Sequence, residues 1–190
     1  MILALTGALH AGKSTVATLL VERGFFSWSA DDVVHDLLGN EGTVQESVIH
    51  AFPDGVVEGV PCRELLAKAV FRNAQDRERL EGILHPPLKR LLLLALEEGR
   101  DRGGNSFFEI PLLVESRMAP HFDAVLTVEA PLHLRLNRAL SLGMNQEEFL
   151  LRDKAQSSVE ERIALSDGVI TNDSRLEDLN KKLSVALASL

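Results

Sequence analysis

The chain has 190 residues, enough for one domain with a small insertion and a buried core. Its apolar fraction of 45% and charged fraction of 25% are those of a globular protein, which excludes a disordered chain. A net charge of −8 excludes the basic field that broad nucleic-acid or anionic-membrane binding needs, and the lone Cys62 excludes an internal disulfide.

In chain order, the apolar run Ile2 to Leu5 predicts a first strand, and Thr15 to Val21 predicts a helix. Arg23-Gly24 punctuates, and Phe25 to Trp28 reads as a second strand. Ser29 is placed to cap a helix that carries Asp31 and Asp32 in its first turn and runs to about Leu38. Gly39, Gly42, Pro53, Gly55, Gly59 and Pro61 break up the next stretch, leaving a short helix from Thr43 to Ala51. From Cys62 to about Arg102 the pattern is helical, and His85-Pro86-Pro87 is expected to interrupt it.

Gly103-Gly104-Asn105 turns the chain into a third strand, Ser106 to Ile110, and Phe122 to Val128 reads as a fourth. Pro131 opens a helix to about Leu142; Asn145 to Gln156 and Ser158 to Leu165 form two more. Gly168 to Thr171 is the last strand and Ser174 to Leu190 a terminal amphipathic helix. Five apolar strands joined by helices predict an α/β fold with a five-stranded parallel sheet covered on both faces. In such sheets ligands lie past the carboxyl ends of the strands. Asp31, Glu109 to Glu115 and Asn172 are therefore expected on the same rim as the loop after strand one. Met1 to Leu5 is too short for a signal peptide, and Leu91 to Leu96 is flanked by Arg90 and Glu97. A reducing cytoplasm is the expected setting.

The loop after strand one carries the chemistry. Gly7-Ala8-Leu9-His10-Ala11-Gly12-Lys13-Ser14, followed by Thr15, has the G-x-x-x-x-G-K-[ST] spacing that wraps a nucleotide's phosphates. Bounding glycines let the backbone curl so that successive N–H groups face an anion, and the helix that follows adds its positive end. Lys13 is expected to reach the β- and γ-phosphates, and Ser14 to offer its hydroxyl to Mg²⁺. Phosphoryl transfer also needs an acceptor hydroxyl whose proton has somewhere to go, and Asp31 is the candidate base. Glu109 is placed either to hold Mg²⁺ through water or to cap the following turn. Arg135 and Arg138 share a helix face, with Arg152 one helix on, and Arg138 is preferred for neutralising transition-state charge.

These residues resemble the dephospho-coenzyme A kinase family, and the likeness runs from about Ile2 to Asp173. It is carried by Leu5-Thr6-Gly7 with the phosphate loop, Ser29-Ala30-Asp31, Arg63-Glu64-Leu65 with Val70-Phe71, and Leu84-His85-Pro86. Glu109-Ile110-Pro111-Leu112-Leu113-Val114-Glu115 is its most specific piece; Arg152 to Gln156 and Ser166-Asp167 with Asn172 complete it. The resemblance implies transfer of the γ-phosphate of ATP to the 3′-hydroxyl of dephospho-coenzyme A. It implies a P-loop kinase core (about 1–38, 103–136 and 166–190), a helical substrate-binding insertion (39–102) and a lid (137–165). Asp31 would be the base for the 3′-hydroxyl. Arg63, His85 and Pro111, Leu112, Leu113 and Glu115 would line the acceptor side, with Arg138 in the lid and Asn172 near the adenine. The implied ligands are ATP, Mg²⁺ and dephospho-coenzyme A, with no nucleic-acid or membrane partner, in a monomer or weak homo-oligomer.

Three departures stand out. Ala8, His10 and Ala11 replace two glycines and a serine of the family's usual loop, so backbone freedom there is expected to fall. Ser29 stands where the family carries an aspartate. Ala139 to Gly143 lacks a second lid arginine, so lid closure is expected to weaken unless Arg135 or Arg152 substitutes. Two rivals remain: another small-molecule P-loop kinase, such as a nucleoside monophosphate kinase, and a diverged nucleotide-binding protein with little transferase activity.

Overall fold

The computed structural model describes residues 1–40 and 42–190, the side chains at 71 and 72 excepted, so the Phe71 side chain of the Val70-Phe71 pair lies outside what is described. The elements run β1 (Ile2–Gly7), α1 (Lys13–Glu22), β2 (Phe26–Ser29), α2 (Ala30–Gly39), α3 (Thr43–Ala51), β3 (Val56–Val57), β4 (Val60–Pro61), α4 (Arg63–Arg72) and α5 (Ala74–Arg102). They continue β5 (Ser106–Glu109), α6 (Leu113–Ser116), β6 (Ala124–Glu129), α7 (Leu132–Ser141), α8 (Gln146–Lys154), α9 (Val159–Ala164), β7 (Gly168–Thr171) and α10 (Leu176–Ala188).

The chain divides into two units, residues 1–29 with 96–190, and residues 30–95. The first holds a five-stranded parallel sheet in the order β2-β5-β1-β6-β7. Every residue of β1 and of β6 is buried, as expected for central parallel strands covered on both faces. Leu3, Leu5, Val16, Leu20, Phe107, Leu126, Val128, Ile170 and Leu183 form its core. In the second unit Val34 and Leu38 of α2, Val44 and Val48 of α3, Leu66 of α4, and Leu80, Ile83 and Leu84 of α5 share another core.

The expected break at His85-Pro86-Pro87 does not occur: both prolines lie inside the continuous 29-residue α5. A proline removes one helical hydrogen bond and crowds the turn before it. Here the turn before the prolines is held from outside, because Leu80, Ile83 and Leu84 are packed into the core of their unit. The second difference is β3–β4, an antiparallel hairpin in a stretch read as punctuation. Its turn residues Glu58 and Gly59 have φ of 50° and 82°, the paired positive values of a tight two-residue hairpin.

Candidate active site

β1 delivers the chain into the loop, and α1 takes it out. Both bounding glycines are required by close approach. A Cβ on Gly7 (φ 143°) would lie 2.0 Å from the carbonyl oxygen of Val128, and one on Gly12 (φ 102°) 2.2 Å from Asn172 Nδ2. The loop carbonyls are held by side chains. Lys13 Nζ donates to the carbonyls of Gly7 (3.0 Å) and Ala8 (3.1 Å). Arg135 donates to that of Leu9 at 3.3 Å, and Arg138 to those of His10 (3.2 Å) and Ala11 (3.1 Å). Asn172 Nδ2 adds a bond of 2.8 Å to the Ala11 carbonyl. In a planar trans peptide the N–H points opposite to its C=O. Carbonyls drawn toward these cations therefore turn the amides of His10 and Gly12 the other way, where the first turn of α1 presents its own amides. The result is a concave set of donors suited to an anion.

The groups that hold the loop are themselves fixed. Arg135 is buried, donates to the Ala130 carbonyl (3.0 Å), pairs with Asp153, and lies 5.8 Å from the Phe149 ring centre. Arg138 also reaches the Asn172 carbonyl at 2.9 Å, and the Asn172 N–H donates to the Glu129 carbonyl at 2.7 Å. Arg152 pairs with Glu148 one turn earlier on α8. Behind β6, Arg162 and Glu129 form a buried pair with bonds of 2.6 and 3.0 Å. Gln156, in the sequence no more than the end of a motif, has its Oε1 accepting from the Leu9 N–H at 2.9 Å. The spacing of Arg135 and Arg138 was legible in the sequence. That Arg135 would be buried was not, because its carboxylate partner Asp153 lies on another helix.

The altered loop residues fit. Ala8 and Ala11 are fully buried in the core of the sheet unit, and the Ala8 N–H donates to the Val128 carbonyl at 3.2 Å. His10 keeps a left-handed backbone (φ 56°), and its ring lies 6.2 Å from that of Phe149. Its Nε2 is buried without a hydrogen-bond partner among the described residues. Burial first, then the charges of Lys13, Arg152 and Arg135, hold its pKa below the usual 6.5. A histidine with a depressed folded pKa contributes stability that is present above its unfolded value and lost as pH falls through the folded one. The expected observation is an imidazole NMR titration with a midpoint under 6.5 in the folded protein, and a smaller acid loss of stability in His10→Asn. A midpoint at or above 6.5 contradicts this environment.

The remaining candidates fall in both units. Ser14 and Thr15 lie exposed in the first turn of α1, and Glu109 ends β5. Pro111 accepts from Thr6 Oγ1 at 3.3 Å; Leu112 is exposed, Leu113 fully buried, and Glu115 accepts from the Ser157 N–H at 2.7 Å. In the other unit, Asp31 is the second residue of α2 and Arg63 the first of α4, while His85 lies inside α5; all three are exposed.

A family model described as dephospho-CoA kinase matches residues 1–178. A dephospho-CoA kinase of Deinococcus radiodurans is 40% identical over 191 residues, covering 99% of this chain and 91% of that one. One from Fusobacterium nucleatum is 37% identical over 186 residues, covering 96% and 95%. A crystal structure from Thermus thermophilus superposes with a TM-score of 0.83 at 34% identity, covering 100% and 97%. The P-loop spacing, the donor-lined cradle and a family match over nearly the whole length agree: the chain belongs to the dephospho-CoA kinase family.

Proposed function

We propose that the chain transfers the γ-phosphoryl group of ATP to the 3′-hydroxyl of dephospho-coenzyme A, giving coenzyme A and ADP. The observation that carries this reading is the phosphate cradle, its carbonyls held outward, in a chain whose family match spans residues 1–178. Such a transfer is mostly alignment and charge neutralisation.

The loop amides bind the β- and γ-phosphates, and Lys13 shifts from the Gly7 and Ala8 carbonyls toward the phosphate oxygens. Arg138 has five N–H donors and makes hydrogen bonds to three main-chain carbonyls, so it can hold the loop and still face the triphosphate. Asp31 accepts the proton of the attacking 3′-hydroxyl. Arg63, His85, Pro111, Leu112 and Glu115 line the acceptor side; Leu113, being buried, supports that turn from beneath. Asn172 lies near the adenine and also fixes the loop. Residues 39–102 form the substrate-binding insertion and residues 137–165 the lid.

Mg²⁺ keeps several waters and takes few protein ligands, so the exposed Ser14 hydroxyl fits it, with Glu109 acting through water. The ion would neutralise charge on the β- and γ-phosphates. Among the described residues no helix is long and apolar enough to cross a membrane. We assign the chain to the cytoplasm, as a monomer or weak homo-oligomer without a nucleic-acid partner. Incubation with ATP, Mg²⁺ and a panel of acceptors tests the reading. Product is expected with dephospho-coenzyme A, and phosphorylation of nucleoside monophosphates alone would overturn it.

A further inference from the structure

We propose that Gln156 is a positioning residue for nucleotide binding: by holding the Leu9 amide outside the cradle, it fixes the direction of the amides that follow. The proposal rests on the reading of the loop as a nucleotide site and adds a residue that does not itself touch the nucleotide.

Four successive peptide planes of the loop are held by groups from other parts of the chain. The plane joining Ala8 to Leu9 is held by Gln156, and the next, Leu9 to His10, by Arg135. Arg138 holds the plane from His10 to Ala11, and Arg138 with Asn172 the plane from Ala11 to Gly12. Arg135, Arg138 and Asn172 all pull on carbonyls. Gln156 alone of these four pulls on an N–H, so it sets the one plane of the four whose amide is drawn to a side chain outside the loop. Were that plane to rotate, the Leu9 N–H would turn inward and the Ala8 carbonyl outward. The Ala8 carbonyl now accepts from the Ala11 N–H at 3.1 Å and from Lys13 Nζ at 3.1 Å, and both bonds would be lost. The loop would then lose its internal turn and the seat of its lysine together.

The role falls to an uncharged side chain for a physical reason. A carboxylate here would stand beside a loop built to receive phosphates and repel them, whereas an amide oxygen accepts the N–H without net charge. Gln156 is also free of the constraint on Arg135, whose loss would leave Asp153 partly buried without its ion pair. Substitution at 156 therefore probes the loop with little effect on the fold.

The test compares the full-length protein with Gln156→Met, which keeps length and loses the acceptor, and Gln156→Glu, which keeps an acceptor oxygen. ADP affinity is read by calorimetry, loop order by hydrogen exchange at the Leu9 amide, and folding by thermal denaturation. Gln156→Met is expected to weaken ADP about tenfold and to speed exchange at Leu9, with dephospho-coenzyme A affinity and the melting temperature close to wild type. Gln156→Glu is expected to restore slow exchange at Leu9 while binding ADP less tightly than wild type. ADP affinity within twofold of wild type in Gln156→Met overturns the proposal, as does an equal loss for both ligands. Failure of the wild type to bind ADP would instead overturn the reading of the loop.

Discussion

Asp31→Asn is expected to lower kcat by roughly 10²- to 10⁴-fold, the usual contribution of a positioned general base, while the KM for ATP stays within about twofold. The split follows from what the carboxylate does. In the proposed role it would take the proton from the acceptor hydroxyl during attack, so its loss would remove an interaction made in the transition state and spare nucleotide binding. Asparagine keeps the shape and can still stand at a helix start, so the fold is retained. Asp32→Asn provides the comparison: it removes a neighbouring charge from the same first turn of α2 and is expected to leave turnover within about twofold. Steady-state kinetics of both variants decide the matter. Equal kcat for Asp31→Asn and wild type would remove Asp31 from the mechanism.

Gly7→Ala is expected to abolish measurable ATP binding and to lower the melting temperature by roughly 5–10 °C. A Cβ at this position would lie 2.0 Å from the Val128 carbonyl oxygen and 2.9 Å from its carbonyl carbon, all backbone atoms of β6. These cannot rotate away, because Gly7 is paired in register with Val128. The backbone value of φ 143° adds strain on the order of 1–3 kcal/mol for any residue with a side chain. Either β1 or the loop must shift, and both carry the cradle. Gly39→Ala, where the added carbon meets no atom within 4 Å, is the control and is expected to match wild type. Wild-type nucleotide affinity in Gly7→Ala, measured by calorimetry, would show that the close approach does not govern the loop.

Where the sequence spoke through local rules, it could be read. β1, the loop and α1 follow from an apolar run, two glycines at fixed spacing and a periodic segment, and the structure has all three. The parallel sheet of five strands follows from the same alternation. The failures come from packing. Pro86 and Pro87 break a helix by their own chemistry, yet the apolar contacts of Leu80, Ile83 and Leu84 outweigh it. The hairpin at 56–61 has only two residues in each strand, too few for any periodic pattern.

At the loop, the places of Lys13 and Ser14 at the start of α1 were legible because the motif fixes them relative to the glycines. The grip of Arg135, Arg138 and Gln156 on loop carbonyls and amide was not, since it joins residues 126 to 147 positions apart in the chain. Only the fold brings them to one place.

That separation has a consequence for biosynthesis. The glycine-bounded loop leaves the ribosome well before Asn172, which follows the last strand of the sheet and donates to its Ala11 carbonyl. A nascent polypeptide therefore carries the motif while the 161 positions up to Asn172 are made, before the loop is fully held. A fully held loop thus reports that the last strand of the sheet has docked.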